Sequence, residues 1–343
     1  MNAAVSVAAR CLLNQGFPVY GAVNGFAGLI QDQFRELDWH ELEAWVYRPS
    51  SEIGTARVHV DLDPEKIAQI AQNFKKRNLK GLIAIGGWDT YFKIHQRLQA
   101  RKDFQALQIP IIVVPASIDN NLPCTAFSVG ADTALNNIVD AVDKIGHTAG
   151  ATSRTFIVEV MGRQCGFLAL MGALASGAEK TYLPETGINL AELNRDVEIF
   201  KNSFAFGKKM IICLRNEHCS RLYTTDFIHR VFEEESNGEF EVRTAILGHL
   251  QRGGSPTAFD RILASRMGAT AAFSILDAMK NSKDDVLTLG LRGRGITAIA
   301  LKEAFDEMDI KHQRPKNQWF MELVEVAGAL AKHAPGDPMA EKT

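Results

Sequence analysis

Four short segments combine glycines with side chains that could hold a phosphate group or accept a proton. Residues 115–121 read Pro-Ala-Ser-Ile-Asp-Asn-Asn, and residues 161–166 read Met-Gly-Arg-Gln-Cys-Gly. Residues 246–256 read Ile-Leu-Gly-His-Leu-Gln-Arg-Gly-Gly-Ser-Pro, and residues 86–90 read Gly-Gly-Trp-Asp-Thr. A carboxylate in a turn can act as a general base, and an arginine can hold a phosphate through two hydrogen bonds. The four segments are therefore candidates for a site that acts on a phosphorylated substrate.

Each segment also has a purely structural explanation. Asp119 and Asn120 could satisfy the backbone groups of a turn, and Arg163 could be a solvated arginine beside a glycine. The third segment could be a charged surface loop. The paired glycines of the fourth segment could allow close packing of a strand on a helix instead of holding phosphate on backbone amides. Residue types alone leave both explanations open.

Motifs typical of other functions are absent or weak. The sequence has no GxxxxGK[ST] phosphate loop, and no group of His, Cys and Asp has the spacing of a zinc site. Residues 293–298, Gly-Arg-Gly-Ile-Thr-Ala, fit the GxGxxA pattern. That match lacks an acidic residue in a suitable βαβ context, so nicotinamide binding is not expected.

Short apolar runs predict the strands that would position these turns. The runs lie at residues 80–87, 111–114, 155–160 and 209–214. Such segments are typical of parallel strands that are covered on both faces. A helix is predicted from Pro64, with Asp63 as its N-cap, because apolar residues then recur at helical spacing. Alternating strands and helices predict an open parallel sheet, whose ligands bind beyond the carboxyl ends of the strands.

Composition sets broader limits. A chain of 343 residues suits two α/β lobes better than one small core. Lys plus Arg is 38 and Asp plus Glu is 40, and this balance argues against a general nucleic-acid binder. The five cysteines form no CxxC pair, so a reduced, cytoplasmic protein is expected. No apolar run approaches the roughly 18 residues that cross a bilayer, and no secretory signal is expected at the N-terminus.

Three of the segments, in the same order, resemble the phosphofructokinase family. Residues 114–121 resemble its catalytic stretch P-x-T-I-D-N-D, and residues 158–163, Val-Glu-Val-Met-Gly-Arg, resemble its V-E-V-M-G-R. Residues 247–268 resemble its L-G-x-x-Q-R-G-G-S-P…D-R-x-L-A-S-R-M-G. The resemblance runs from Met1 to about Pro335. Three long matches in family order make it highly specific.

The resemblance implies a fold and an activity. The fold is α/β, with two Rossmann-like αβα lobes. Residues 1–130 with 251–300 would form the larger lobe on the nucleotide side, and residues 131–250 with 301–343 the smaller lobe on the sugar-phosphate side. The activity is that of a 6-phosphofructokinase of glycolysis, which converts ATP and fructose 6-phosphate to the 1,6-bisphosphate with Mg²⁺. A homo-oligomer, or a part of a larger phosphofructokinase, is implied.

The resemblance also implies roles for single residues. Asp119 matches the catalytic base, which takes the proton from the fructose 1-hydroxyl, and Arg163 matches an arginine that stabilises the transferred phosphoryl group. Arg154 matches an arginine contributed across a subunit contact. The other implied sugar-phosphate residues are Ser117, Met161, Gly162, Glu217, Arg243, His249 and Arg252. The implied nucleotide residues are Arg57, Gly86, Gly87, Asp89 and Thr90. The metal ligands are left open.

The sequence departs from the family at the nucleotide end. The family has a Gly-Gly-x-x-Pro-Gly loop just before Met-Asn-Ala-Ala, whereas this sequence starts with those four residues. Trp88 stands where the family's G-G-D-G-S has a metal-facing aspartate, and Asn121 ends the I-D-N-D motif. Several stretches, such as residues 127–136 and 314–319, instead resemble the C-terminal half of the long eukaryotic-type enzymes, in which the kinase site has become a sensor of a fructose bisphosphate.

Two functions of different class therefore stay open. Asp119 favours an active kinase, in which ATP or pyrophosphate is the phosphoryl donor. Trp88 and the missing loop favour a catalytically weak regulatory half that binds a fructose bisphosphate. The expectation that follows is a chain that binds fructose phosphates but phosphorylates them poorly in isolation.

Overall fold

The computed structural model describes residues 1–55, 62–148 and 153–330. Its helices are α1 (Asn2–Leu13), α2 (Phe26–Gln31), α3 (Trp39–Leu42), α4 (Pro64–Lys76), α5 (Trp88–Phe92), α6 (Ala131–Gly146), α7 (Phe167–Ser176), α8 (Leu190–Ala205), α9 (Thr225–Glu235), α10 (Ala258–Lys280), α11 (Leu301–Asp306) and α12 (Val324–Leu330). Its strands are β1 (Val19–Ala22), β2 (Phe34–Leu37), β3 (Leu82–Gly86), β4 (Ile111–Pro115), β5 (Arg154–Val160), β6 (Lys180–Tyr182), β7 (Met210–Asn216), β8 (Glu241–Ile246), β9 (Val286–Arg292), β10 (Gly295–Ala300), β11 (Met308–Asp309) and β12 (Arg314–Pro315). Alternation of strands and helices confirms the predicted α/β class.

The chain divides into two compact units. The first unit comprises Met1–Ser117, Asn121–Asp132 and Ser255–Asp309. The second unit comprises Ile118–Asn120, Thr133–Gly254 and the chain from Ile310. The roles assigned to the two predicted lobes, nucleotide side and sugar-phosphate side, stay predictions.

The first unit is built on a four-stranded sheet with the order β10-β9-β4-β3. Strands β3, β4 and β9 are parallel, as predicted, whereas β10 runs antiparallel to β9. The reversal occurs because Gly293, with φ of 57°, and Arg294 form a two-residue hairpin between the paired residues Arg292 and Gly295. The GxGxxA match therefore lies in a β-hairpin and does not open a helix.

Strand β4 is apolar throughout because both of its faces are covered. Ile111 and Val113 belong to one buried cluster, which includes the apolar face of α4. Ile112 and Val114 belong to another cluster, which includes α10. Side chains of a strand alternate between its two faces, so a strand between two helical layers needs an apolar residue at every position.

Helix α4 confirms the predicted start signal. The Asp63 side chain accepts a hydrogen bond of 2.9 Å from the backbone N–H of Lys66, and Pro64 occupies the first helical position. Ile67 and Phe74 are among the buried residues of this helix. Lys76 ends it, where a cation opposes the partial negative charge of the helix dipole.

The second unit contains a fully parallel sheet with the order β6-β7-β5-β8. On one face, helices α8 and α9 pack against β7 through a cluster that includes Ile211 and Cys213. On the other face α7 lies so close that a Cβ at Gly172 would come within 2.9 Å of the Leu214 side chain. The sheet is thus covered on both faces, and its central strand β5 ends between the ends of β7 and β8.

Among the described helices, none combines the length and apolarity that a membrane span requires.

Candidate functional site

The turn after β5 begins with two residues in the left-handed region of backbone space. Gly162 has φ of 139° and Arg163 has φ of 50°. A Cβ at Gly162 would lie 2.5 Å from the Cys165 carbonyl oxygen and 2.6 Å from Asn216 Nδ2. These two atoms are themselves joined by a hydrogen bond of 2.9 Å. Glycine is therefore required at this position by close packing, whether or not a ligand approaches the backbone.

Glu217 fixes this turn from the end of β7. Its Oε1 accepts hydrogen bonds from the backbone N–H of Gly162 at 3.2 Å and of Arg163 at 3.0 Å. Its own N–H donates to the carbonyl oxygen of Val160 at 2.8 Å. The carboxylate of Glu217 thus binds the backbone N–H groups of two successive residues, Gly162 and Arg163. It therefore positions both of them.

Asp119 and Arg163 lie beside each other within the second unit. Arg163 Nε is 3.8 Å from Asp119 Oδ2, and their side chains are 54% and 12% exposed. This distance exceeds that of a hydrogen bond, so the guanidinium is not tightly bound to the carboxylate. A carboxylate that is nearly buried and an arginine that is half exposed therefore face the same place, which is an arrangement suited to a base and a phosphate-binding cation.

The pKa of Asp119 is raised above its usual range. Burial is the main cause, since a carboxylate removed from water is less stable in its charged form. The positive charge of Arg163 acts in the opposite direction, as do the weaker effects of Arg252 and His218, whereas Glu217 adds to the increase. The other four side chains are thus close enough to act on Asp119, and a base with a raised pKa binds a proton more readily.

The segment after β8 contributes from a third strand end. The short 3₁₀ turn Gly248–Arg252 follows β8 and carries the exposed side chains of His249 and Arg252. Gln251 is buried in this turn, and its Oε1 accepts a hydrogen bond of 3.1 Å from the backbone N–H of Met161. Gln251 therefore joins the third segment to the second one.

Arg154 and Arg243 lie at the opposite end of the sheet from Arg163. Arg154 is the first residue of β5, and it pairs in register with Glu241, the first residue of β8. Both arginines approach the same carboxylate oxygen, Oε2 of Glu241, at 3.1 Å and 3.2 Å. Strand β5 spans seven residues, or about 20 Å at the usual rise of 3.3 Å per residue. Within one chain these two arginines consequently do not converge with Arg163.

A buried ion pair supports the carboxyl ends of β5 and β7. Arg215 Nη1 donates to Glu159 Oε2 at 2.7 Å, and its Nη2 donates to the carbonyl oxygens of Ser220 and Tyr223. The Thr225 hydroxyl donates to the same Glu159 oxygen. The pair fixes the chain on either side of Glu217, so its role is to hold the site in shape.

The implied nucleotide residues belong to the first unit, except that Arg57 lies outside the described residues. Gly86 ends β3, and a Cβ there would lie 2.1 Å from Thr90 Oγ1. Gly87 is the N-cap of the five-residue helix α5, and Asp89 is exposed in its first turn. Gly86 thus allows the end of β3 to pack closely on α5, whereas a Cβ at Gly87 would only make an ordinary contact of 3.4 Å with the Ala116 carbonyl oxygen. The nucleotide role of both glycines stays a prediction.

Trp88 is a core residue of the first unit. Its side chain is buried at 7% exposure, and its ring lies 5.9 Å from the ring of Phe305 and 6.3 Å from that of Phe92. An indole that is packed among aromatic rings cannot take the place of a metal-facing carboxylate.

Ser117 also belongs to the first unit. Its Oγ donates a hydrogen bond to Asn121 Oδ1 at 3.1 Å.

Sequence reasoning did not single out several residues that shape the second-unit site. His218 lowers the pKa of Asp119, and Gln251 accepts a hydrogen bond from the backbone of Met161. Glu185 and Arg314 bind the backbone just beyond Arg163. His218 directly follows Glu217, so its place after a predicted strand was a usable signal. The other three are distant in sequence from the residues that they contact. Gln251 and Arg314 lie within stretches that resemble the family, but neither stretch indicates the contact, and Glu185 lies in no such stretch.

Sequence similarity to known proteins extends along nearly the whole chain. The sequence model of the phosphofructokinase family matches residues 1–275. The chain is 39% identical over 344 residues to the muscle-type ATP-dependent 6-phosphofructokinase of Homo sapiens, and the match covers 97% of this chain and 44% of the human protein, in its C-terminal half. The chain thus spans about half the length of the curated relatives that it matches.

Two solved structures give the same result. The phosphofructokinase of Saccharomyces cerevisiae matches with a TM-score of 0.90 at 30% identity, covering 98% of this chain and 47% of the yeast chain. The phosphofructokinase of Pichia pastoris in the T-state matches with a TM-score of 0.88 at 33% identity, covering 98% of this chain and 40% of that chain. The family model and the shared fold agree with the motifs in the sequence: this chain belongs to the phosphofructokinase family.

Proposed function

We propose that this chain provides a fructose-phosphate site of a cytoplasmic 6-phosphofructokinase of glycolysis, whose reaction is phosphoryl transfer from ATP to fructose 6-phosphate. The single observation that carries the proposal is the Asp119–Arg163 pair, in which a nearly buried carboxylate faces a half-exposed guanidinium. Membership of the phosphofructokinase family indicates the reaction in which this pair would take part. The pair lies beside strand ends of a parallel sheet, where ligands of such folds bind.

Charge supports the binding of a sugar phosphate at this place. Arg163 is half exposed, and Arg252 is close enough to Asp119 to lower its pKa. A phosphate dianion needs several charge-assisted hydrogen bonds to compete with water, and arginine offers two parallel donors to it. His249, in the same turn as Arg252, is the third candidate ligand from this chain. Met161 and Gly162 would line the site with their backbone.

Asp119 would act as the general base. In the direction of kinase chemistry it accepts the proton of the fructose 1-hydroxyl as the oxygen attacks the terminal phosphorus of the donor. Its raised pKa strengthens it as a base. Arg163, 3.8 Å away, would interact with the negative charge of the phosphoryl group as it moves between the two oxygens.

Arg154 and Arg243 fit a role in a second copy of the chain. Both share the Glu241 carboxylate at the amino end of β5, and Arg163 follows the carboxyl end of that strand. Arginines that cannot reach the site of their own chain can complete the site of a neighbour. We therefore propose a homo-oligomer, or a pair of such halves within a longer chain, in which these two arginines cross a subunit contact.

The nucleotide end supports a second candidate, a catalytically weak half that senses a fructose bisphosphate. Phosphofructokinase chemistry uses ATP with Mg²⁺, and Mg²⁺ requires oxygen ligands. The residue at the implied metal-facing position is Trp88, which is buried against Phe305. The residues present at that position do not fit the ion, and Asp89 is the carboxylate nearest to it in sequence. This observation favours slow turnover by the isolated chain, whereas Asp119 favours the kinase.

A coupled assay distinguishes the two candidates. The purified chain is supplied with fructose 6-phosphate and either ATP or pyrophosphate, and the wild type is compared with Asp119→Ala. Turnover on the order of 10 s⁻¹ that is lost in the variant would identify a complete kinase. Fructose-phosphate binding with turnover far below that value would identify the regulatory half. Failure to bind any fructose phosphate would refute both.

A further inference from the structure

The turn that carries Arg163 is also held at the residues that follow Arg163. The backbone N–H of Gly166 donates to Glu185 Oε1 at 2.9 Å. Arg314 Nη1 donates to the carbonyl oxygen of Gln164 at 2.6 Å. Gln164 and Gly166, the first and third residues after Arg163, are therefore tied to two charged side chains that lie at other places in the sequence.

Glu185, Arg314 and Gln318 form one buried cluster, called here the Glu185 cluster. Arg314 Nη1 lies 3.2 Å from Glu185 Oε1, and Gln318 Nε2 donates to the same oxygen at 2.9 Å. The Glu185 side chain is 6% exposed and that of Arg314 is 14% exposed. A carboxylate this deeply buried depends on its cation and its donors, because it has lost its water. Loss of either Arg314 or Gln318 would therefore leave the Glu185 carboxylate with fewer of the donors that stabilise its charge.

Aromatic packing fixes the same C-terminal segment to the helix that follows the turn. Phe167 is the first residue of α7, and the ring of Phe320 meets it edge-on at 5.4 Å. Trp319 meets the same ring at 6.2 Å. Phe320 is buried. Polar contacts to the turn and apolar contacts to α7 thus come from one short stretch, residues 314–320.

We propose that Arg314 and Glu185 are positioning residues for Arg163, so that the C-terminal segment controls phosphate affinity at the candidate site. Arg163 has φ of 50°, a conformation that is unfavourable for a residue with a side chain and persists only where neighbours impose it. Glu217 imposes it from one side, and the Glu185 cluster holds Gln164 and Gly166 on the other. The direction of the Arg163 side chain toward Asp119 follows from that backbone. The inference rests on the proposed function for the identity of the ligand.

A double-mutant cycle tests this coupling. Fructose 6-phosphate is titrated calorimetrically into the 343-residue chain as wild type, Arg163→Gln, Arg314→Gln and the double variant. Each single variant is expected to bind about tenfold more weakly, equivalent to about 1.4 kcal/mol. The double variant is expected to bind no more weakly than Arg163→Gln, because Arg314 acts only through Arg163. Unchanged affinity in Arg314→Gln, or an additive loss of about a hundredfold in the double variant, would overturn the proposal.

Two further variants separate positioning from folding. Lys180→Gln removes the cation from another buried carboxylate of the second unit, Asp196, which Lys180 Nζ contacts at 3.0 Å. It is expected to lower the melting temperature and to leave affinity unchanged. Glu185→Gln keeps the shape of the side chain and replaces Arg314→Gln in the cycle if that variant does not fold. Glu185→Gln should weaken binding in the wild-type background and should cause no further loss of affinity in the Arg163→Gln background. If the wild type shows no saturable heat with fructose 6-phosphate, the proposed function fails and this inference fails with it. If Arg163→Gln weakens binding while Arg314→Gln and Glu185→Gln do not, only this inference fails.

Discussion

Replacement of Gly162 by alanine tests how strictly the turn geometry sets the site. The added Cβ would lie 2.5 Å from the Cys165 carbonyl oxygen, or 0.9 Å inside the 3.4 Å at which ordinary contact begins. It would also separate that oxygen from its donor, Asn216 Nδ2. The first atom is backbone. The second ends the side chain of Asn216, which is fully buried and also accepts a hydrogen bond from the His218 N–H, so the turn itself must move.

The expected magnitude follows from two effects. Overpacking of a tight site costs about 1–3 kcal/mol, and a side chain at positive φ costs roughly 1–2 kcal/mol more. We expect Gly162→Ala to lower the free energy of unfolding by about 2–5 kcal/mol. We also expect it to weaken fructose 6-phosphate binding at least tenfold, because Arg163 is the next residue and its N–H shares the Glu217 carboxylate.

Gly177→Ala is the matched control. Gly177 ends α7 with φ of 67°, and a Cβ there would have no atom within 4 Å. This variant should lose only the conformational part, roughly 1–2 kcal/mol, and should bind the ligand as the wild type does. Urea unfolding and calorimetric titration measure the two quantities separately. Wild-type affinity in a folded Gly162→Ala variant would refute the reasoning.

Three other outcomes are expected. Arg252→Ala should weaken fructose 6-phosphate binding roughly tenfold, since a charge-assisted hydrogen bond contributes about 1.5–3 kcal/mol. Arg230→Ala, on the exposed face of α9, should leave the affinity unchanged. Equal affinities of Arg252→Ala and the wild type would show that Arg252 does not belong to the site. The chain should sediment as a dimer or larger at micromolar concentration, and a monomer with full sugar affinity would exclude a role for Arg154 in a neighbouring site. Asp119→Asn should raise the melting temperature at neutral pH, because burial raises the pKa of Asp119 and so favours its protonated form on folding. That gain should shrink as the pH falls toward the ordinary pKa of about 3.9, and a gain that is independent of pH would contradict the assigned cause.

The strands were predictable because the pattern of apolar residues in a strand depends on how many of its faces are buried. The run at residues 111–114 is apolar at every position, and β4 is indeed buried on both faces. The Asp63 cap and Pro64 likewise identify the start of α4 from local chemistry alone. The antiparallel strand β10 was not foreseen, because its only signal is the Gly293–Arg294 turn, which also fits a nucleotide-binding pattern.

The candidate site was predictable to the extent that its residues follow strands. Arg163 and Glu217 come just after predicted strands that are parallel neighbours, and such strands bring the residues that follow them together. Asp119 follows β4, which belongs to the other sheet, so strand pairing alone does not place it beside Arg163. What the sequence could not supply is the partner of each group. Glu217 binds backbone donors of the turn, and Arg314 binds the carbonyl oxygen of Gln164 across 150 positions of sequence. Such contacts depend on tertiary packing, to which no local pattern corresponds.

The most direct test of the central claim is a calorimetric titration of fructose 6-phosphate into the wild-type chain and into Arg163→Gln. If Asp119 and Arg163 form a fructose-phosphate site, the wild type should give saturable heat and Arg163→Gln should bind at least tenfold more weakly. Lys180→Gln serves again as the control for general damage to the second unit. Absence of saturable binding by the wild type at millimolar ligand, or equal affinity in the wild type and Arg163→Gln, would contradict the account.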